Sequence, residues 1–178
     1  MQRLQVLIVD GYNVIRNNAR YSHLGPDYEG GPAWNAAREA LINDAALVAA
    51  GAYERCTVVF DGAGNPNSTG RPERVAGIDV IFSPAGVSAD SVIERLSHEA
   101  RERGWEVTVV SSDLTIQSTV FGGGVTRMSS SGFTSLSEGF EDEWHEGGEK
   151  AKMKSTISNR IDPGVAKRLE AFVRGGSL

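Results

Sequence analysis

Apolar runs of strand length alternate along this chain with longer stretches of helical spacing. Val6 to Val9 is an unbroken apolar run that stops at Asp10 and Gly11, the pattern of a strand buried on both faces of a parallel sheet. Cys56 to Phe60, Ile78 to Phe82 and Glu106 to Val110 repeat that pattern, and Val125 to Met128 is a shorter fifth strand. Trp34, Ala37, Leu41, Ala45 and Val48 follow helical spacing between Pro32 and Gly51, residues that favour a helix start and a helix stop. A second helix spans about Ala89 to Arg103, with Val92, Ile93, Leu96 and Ala100 inward and Gly104 at its end. Further helices are expected over Leu114 to Phe121, over Phe133 to His145 with an acidic outer face, and over Pro163 to Arg174. Arg16 to Gly31 reads as a surface loop over the edge where Asp10 stands, and Ala63 to Gly77 as a mobile loop. The β-α-β alternation implies one central, mostly parallel sheet with helices on both faces.

Composition narrows the class. A chain of 178 residues suits one domain with a substantial core. The net charge of −5 argues against polyanion binding by the whole surface. From Lys150 onward, however, seven Lys and Arg stand against two acidic residues, an asymmetry that can mark a nucleic-acid contact. The expected organisation is therefore a domain over 1–149 and a basic extension over 150–178. Cys56 is the sole cysteine, which excludes an intrachain disulfide and fits a reducing cytoplasm. The N-terminal apolar run is too short for a secretion signal, and no stretch reaches the length of a membrane span. The cytoplasm is the expected location.

Acidic residues sit at corresponding places in the pattern. Asp10, Asp61 and Asp113 each end a strand or follow it directly, and Asp90 opens the helix after the third strand with Glu94 one turn on. In open α/β sheets that carboxyl edge is where ligands bind. Carboxylates crowded there repel one another unless a cation joins them. An oxygen-only donor set selects Mg²⁺ or Mn²⁺ over Zn²⁺. Metal held in this way can activate water and stabilise charge on a phosphodiester, so hydrolysis of a nucleic-acid backbone is the expected chemistry. Taken singly, each aspartate has a plainer explanation as a helix cap or turn residue, and Glu94 could close a capping box with Ser91.

Other phosphate chemistries fit less well. A haloacid-dehalogenase-type phosphotransferase needs a second Asp where Tyr12 stands, and a dinucleotide fold needs a Gly-x-Gly-x-x-Gly turn after the first strand. No Gly-Lys-Ser/Thr follows the glycines of Ala63 to Gly77, and Gly122 to Gly124 reads as a tight turn. His23, His98 and His145 are scattered without metal spacing and are expected on the surface; Cys56 is expected to be buried and inert.

LIVDGYNVIR, VVFDG, ADSVIERL, VVSSD and IQSTVFGGGVTRMS, in that order, resemble the YacP-type branch of the NYN domains, which are PIN-like nucleases. The resemblance runs from the first strand to about Leu136. It implies a three-layer α/β/α sandwich and a metal-dependent endoribonuclease site. By the same resemblance Asp10, Asp90 and Asp113 hold the metal, Asp61 completes the cluster, and Asn13 and Glu94 support it. Asn13 would orient the scissile phosphate or a water on the metal. A messenger-RNA substrate and a ribosome partner are implied as well. Two rival functions remain: an RNA- or ribosome-binding module without turnover, and a phosphatase acting on small phosphate esters.

Overall fold

The computed structural model describes residues 3–24, 34–112 and 125–151, with side chains as far as residue 145. Six strands form one sheet: β1 (Gln5–Asp10), β2 (Arg55–Phe60), β3 (Glu73–Val75), β4 (Ile78–Phe82), β5 (Glu106–Val110) and β6 (Val125–Met128), in the order β3-β4-β2-β1-β5-β6. All neighbours are parallel except β3, which runs antiparallel to β4. The strand predicted from the most apolar run is central. Leu7, Ile8 and Val9 are all but inaccessible to solvent, because β1 is flanked on both edges and covered on both faces.

Alternation along the strands divides the core in two. Leu7, Val9, Cys56, Val58, Phe60, Ile78 and Val80 pack with α1 (Gly11–Arg16), α2 (Ala19–Ser22), α3 (Asn35–Ala52) and Phe133 of α5 (Ser130–Ala151). Val6, Ile8, Val59, Ile81, Val107 and Val109 face the other way and pack with α4 (Ala89–Glu102). This is the expected α/β/α sandwich. α3 buries Ala37, Leu41, Ala45 and Val48, as their spacing predicts. α4 ends in a Schellman motif: Trp105 N–H donates to the Ala100 carbonyl and Gly104 N–H to that of Arg101, with Gly104 at φ 74°.

Several local expectations are corrected. Arg16 to Gly31 is not all loop, since α2 lies within it and buries Tyr21 completely. β3 lies inside the stretch expected to be a mobile loop. α4 is capped by Ser88, whose side chain accepts the Ser91 N–H, so Ser91 is not the cap of a box with Glu94. The last described helix begins at Ser130 rather than Phe133, and its apolar stripe ends early: Phe133, Leu136 and Phe140 join the core, while Trp144 is exposed.

By chain contacts, the compact units are Met1–Phe140 and Glu141–Leu178. Within the second, residues 142–145 are exposed. The helices expected over Leu114 to Phe121 and Pro163 to Arg174, and all but the start of the basic extension, lie outside the described residues. Among the described residues no helix is long and apolar enough to cross a membrane.

Candidate active site

Asp10 ends β1 and caps α1 in the same step. Its backbone remains extended while its Oδ1 accepts the Asn13 N–H at 3.3 Å, and Oδ2 accepts the Ser111 hydroxyl, at the end of β5, at 3.4 Å. Only 6% of the residue is exposed. Burial pushes its carboxyl from 3.8 up to about 6, and the negative charge of Asp90 adds to the rise. The Asn13 N–H, the Arg16 charge and the Ser111 hydroxyl pull against it. A carboxylate that loses water and meets a like charge is raised in this way.

Asp90 is exposed in the first turn of α4, where the helix N-terminus favours an anion. Its charge acts on Asp10, and the end of β1 and the start of α4 both stand at the carboxyl edge of the sheet. Glu94 is exposed one turn further along α4. Asp61 is differently employed. Its Oδ1 accepts Ala63 N–H at 2.8 Å and its Oδ2 accepts Ala89 N–H at 3.3 Å, so it closes a turn and ties down the entry of α4. Among the described residues no three His, Cys, Asp or Glu side chains are grouped to hold an ion, so Asp61 does not join Asp10 and Asp90 in such a group. Asp113 lies outside the described residues.

Asn13 is nearly buried, and its Oδ1 accepts the Ser112 N–H at 2.8 Å. The carboxamide oxygen expected to orient phosphate or water is thus engaged with the backbone just before Asp113. Serines do more than the sequence reading assigned to them. Besides the Ser111 contact with Asp10, the Ser112 hydroxyl lies 2.8 Å from that of Ser130 and accepts the Ser130 N–H at 3.2 Å. The Ser111-Ser112 pair directly after a buried strand was the available signal. The three histidines are exposed, as expected. Cys56 is buried, and burial pushes its thiol up to about 12, which keeps it protonated and unreactive at neutral pH.

A strand-end acid, a second acid on a helix start and a polar frame beneath them match the order of motifs read from the sequence. The profile of the YacP-like NYN domain matches residues 7–174. The chain belongs to the YacP-like NYN domain family. The uncharacterized protein YacP of Bacillus subtilis is 29% identical over 126 residues, covering 71% of each chain. Two crystal structures of Rae1 (YacP) from Bacillus subtilis agree in fold. One, of a tryptophan-to-leucine mutant, superposes with TM-score 0.70 at 25% identity, covering 95% of this chain and 99% of that one. The other has TM-score 0.68 at 26% identity, covering 96% and 95%. The NYN domain is a nuclease-type domain, and membership suggests an RNA-cleaving role.

Proposed function

We propose that this YacP-like NYN domain is a divalent-metal-dependent endoribonuclease, with Asp10 and Asp90 as the acids that hold Mg²⁺ or Mn²⁺. The observation that carries this reading is the placement of Asp10: a carboxylate buried at the end of the central strand, with the charge of Asp90, in the first turn of α4, pushing its carboxyl further up. A hard cation relieves both penalties, and Mg²⁺ is commonly bound through one or two carboxylates together with substrate phosphates. Two protein acids at one edge therefore suit it. When bound there, such an ion would polarise a phosphodiester and make water a better nucleophile.

The chain's own residues have separable tasks in this scheme. Asp10 is aimed by the Asn13 N–H and the Ser111 hydroxyl, which leave it little rotational freedom. Asp90 offers its carboxylate from the solvent side, and Asp113 is proposed as a third ligand. Asp61 and Asn13 act as positioning residues, one on α4 and one on Ser112. Glu94, exposed one turn from Asp90, is proposed to orient water or substrate at the rim. The proposed substrate is messenger RNA, the proposed partner a ribosome and the proposed setting the cytoplasm.

Cleavage of a short single-stranded RNA, with Mn²⁺ binding followed by calorimetry, tests the reading. Wild-type protein is expected to cleave only with Mg²⁺ or Mn²⁺ present. Asp10→Asn is expected to abolish cleavage and weaken Mn²⁺ binding while keeping the circular dichroism of the fold; undiminished cleavage by that variant would overturn the assignment. The rival reading, an RNA- or ribosome-binding module without turnover, draws on the basic stretch from Lys150. It predicts salt-dependent RNA binding with no metal-dependent cleavage by any variant.

A further inference from the structure

The carboxyl edge of the sheet carries a row of aromatic rings to which the acids give no role. Tyr12, two residues beyond Asp10, lies 5.1 Å from Phe60, and Phe60 stacks on Phe82 at 5.2 Å with an interplanar angle of 26°. Phe60 is fully buried, whereas Phe82, the last residue of β4, keeps 39% of its surface exposed. Arg38, on α3, sets its guanidinium 5.9 Å from the Phe82 ring centre and 6.0 Å from that of Tyr12. It also donates to the Tyr12 hydroxyl at 2.7 Å and to Asn35. A single exposed phenylalanine needs no explanation. This one is the outer end of a row of three rings in contact, has a planar cation at its side, and stands on the same edge of the sheet as Asp10.

The register gives the separation. Asp10 is level with Val59 of β2, and Val59 is level with Ile81 of β4. At the backbone, Phe82 is therefore two strands from Asp10, about 10 Å across the sheet and one residue nearer the rim. By alternation its ring lies on the α3 face with Phe60, while Asp10 follows Val6 and Ile8 on the α4 face. A single strand that passes over the rim from Asp10 can set the base of a neighbouring nucleotide against the Phe82 ring. Aromatic faces combined with arginine are the usual means of holding single-stranded bases without reading their identity.

We propose that Phe82, flanked by Arg38, is the stacking platform for a nucleobase of single-stranded RNA whose backbone lies at Asp10. This rests on the ribonuclease reading of the same edge and adds to it the way in which the strand is gripped. Recognition there is through the π-face, so it tolerates any base and rejects a duplex, whose bases are already stacked.

The test uses the full chain and a short single-stranded oligoribonucleotide carrying 2-aminopurine, whose fluorescence falls on stacking, alongside the same strand with that base removed. Binding is measured without divalent ion, and cleavage of the same strands with Mn²⁺. Wild type is expected to quench the probe and to bind the abasic strand about ten-fold more weakly. Phe82→Leu, which keeps an apolar cover over Phe60, should lose the quenching and bind both strands equally weakly, and Phe82→Trp should restore both effects. A wild type that does not quench, or a Phe82→Leu variant that discriminates the abasic strand as wild type does, would overturn the proposal. Quenching without metal-dependent cleavage would remove the nuclease reading and leave the platform standing; cleavage unaffected by Phe82→Leu, with no quenching, would do the reverse.

Discussion

The Asn13 carboxamide oxygen accepts the Ser112 backbone N–H at 2.8 Å, across 99 positions of sequence. With that bond the first turn of α1 holds the chain as it leaves β5, one residue before Asp113. Asn13 also donates its own N–H to Asp10. One side chain and its backbone thus link the acid at the end of β1 to the approach of the acid after β5, which makes Asn13 a geometric constraint on the site.

Asn13→Ala is expected to cost about 1–2 kcal/mol of stability, because the partly buried Ser112 N–H loses its acceptor. Urea unfolding measures the loss, and hydrogen exchange localises it: the Ser112 amide should exchange faster while amides of β2 and α4 stay as in wild type. Unchanged protection at Ser112 would show that another group satisfies it in the variant.

Asp10 makes stability depend on pH in a direction opposite to that of most acids. Its carboxyl lies at about 6 in the folded chain against 3.8 as the ordinary value, so between those values the native state holds a proton that the unfolded state has released. Stability should therefore fall as pH rises from about 4 to about 6, by up to about 3 kcal/mol, and stay lowered above that. Asp10→Asn removes the charge and keeps a good helix cap. Without divalent ion, the variant should be more stable than wild type at pH 7 and no more stable near pH 4. Denaturant melts across that range decide it, and parallel curves for the two proteins would contradict the assigned shift. Mn²⁺ binding to wild type should weaken below about pH 6, since the ligand must be ionised.

What could be read beforehand, and what could not, follows from the range of the interactions. The central position of β1 was legible because a strand buried on both faces must be apolar throughout, and Val6 to Val9 has no polar break. The inner face of α4 and its Gly104 stop were legible for the same local reasons. β3 was not, because two of its three residues are exposed and its turn to β4 is unusual. Ala76 and Gly77 both take positive φ, 50° and 83°, the conformation of a tight hairpin turn that is commonly signalled by Asn-Gly or Asp-Gly. α2 escaped because only Tyr21 of its four residues is buried. At the site, Asp10 and Asp90 could be placed at one edge by topology alone. That Asp61 spends its oxygens on backbone amides, and Asn13 its oxygen on Ser112, depends on contacts between distant segments that no local pattern encodes.

The α2–α3 contact gives a stability prediction away from the chemistry. Asp44, 6% exposed, accepts from Arg20 Nε at 2.7 Å, from Arg20 Nη2 at 3.1 Å and from the hydroxyl of the fully buried Tyr21. Asp44→Ala strands a buried hydroxyl and removes the carboxylate from a bidentate pair, and should cost about 3 kcal/mol. Asp44→Asn, which can still accept from Tyr21, should cost less. Thermal melts rank the two; equal losses would mean that charge, not hydrogen bonding, dominates there.

Gly11 sets the spacing between the acid and the aromatic row. A Cβ at this position would overlap the Phe60 ring, and Phe60 is completely enclosed between Tyr12, Phe82 and the core. The glycine has no positive φ to justify it, so close approach is its reason. Gly11→Ala should therefore act by overpacking and destabilise by about 1–3 kcal/mol. If the clash with Phe60 is the cause, Phe60→Leu should absorb part of that cost, so that the double variant is more stable than the sum of the two single losses predicts. Strict additivity in urea unfolding would place the strain elsewhere. The same pair separates packing from site geometry: because Gly11 follows Asp10 directly, a ring that cannot yield must displace the backbone under the acid. Gly11→Ala should then lower Mn²⁺ affinity as well as stability, and Phe60→Leu in the same chain should recover both together.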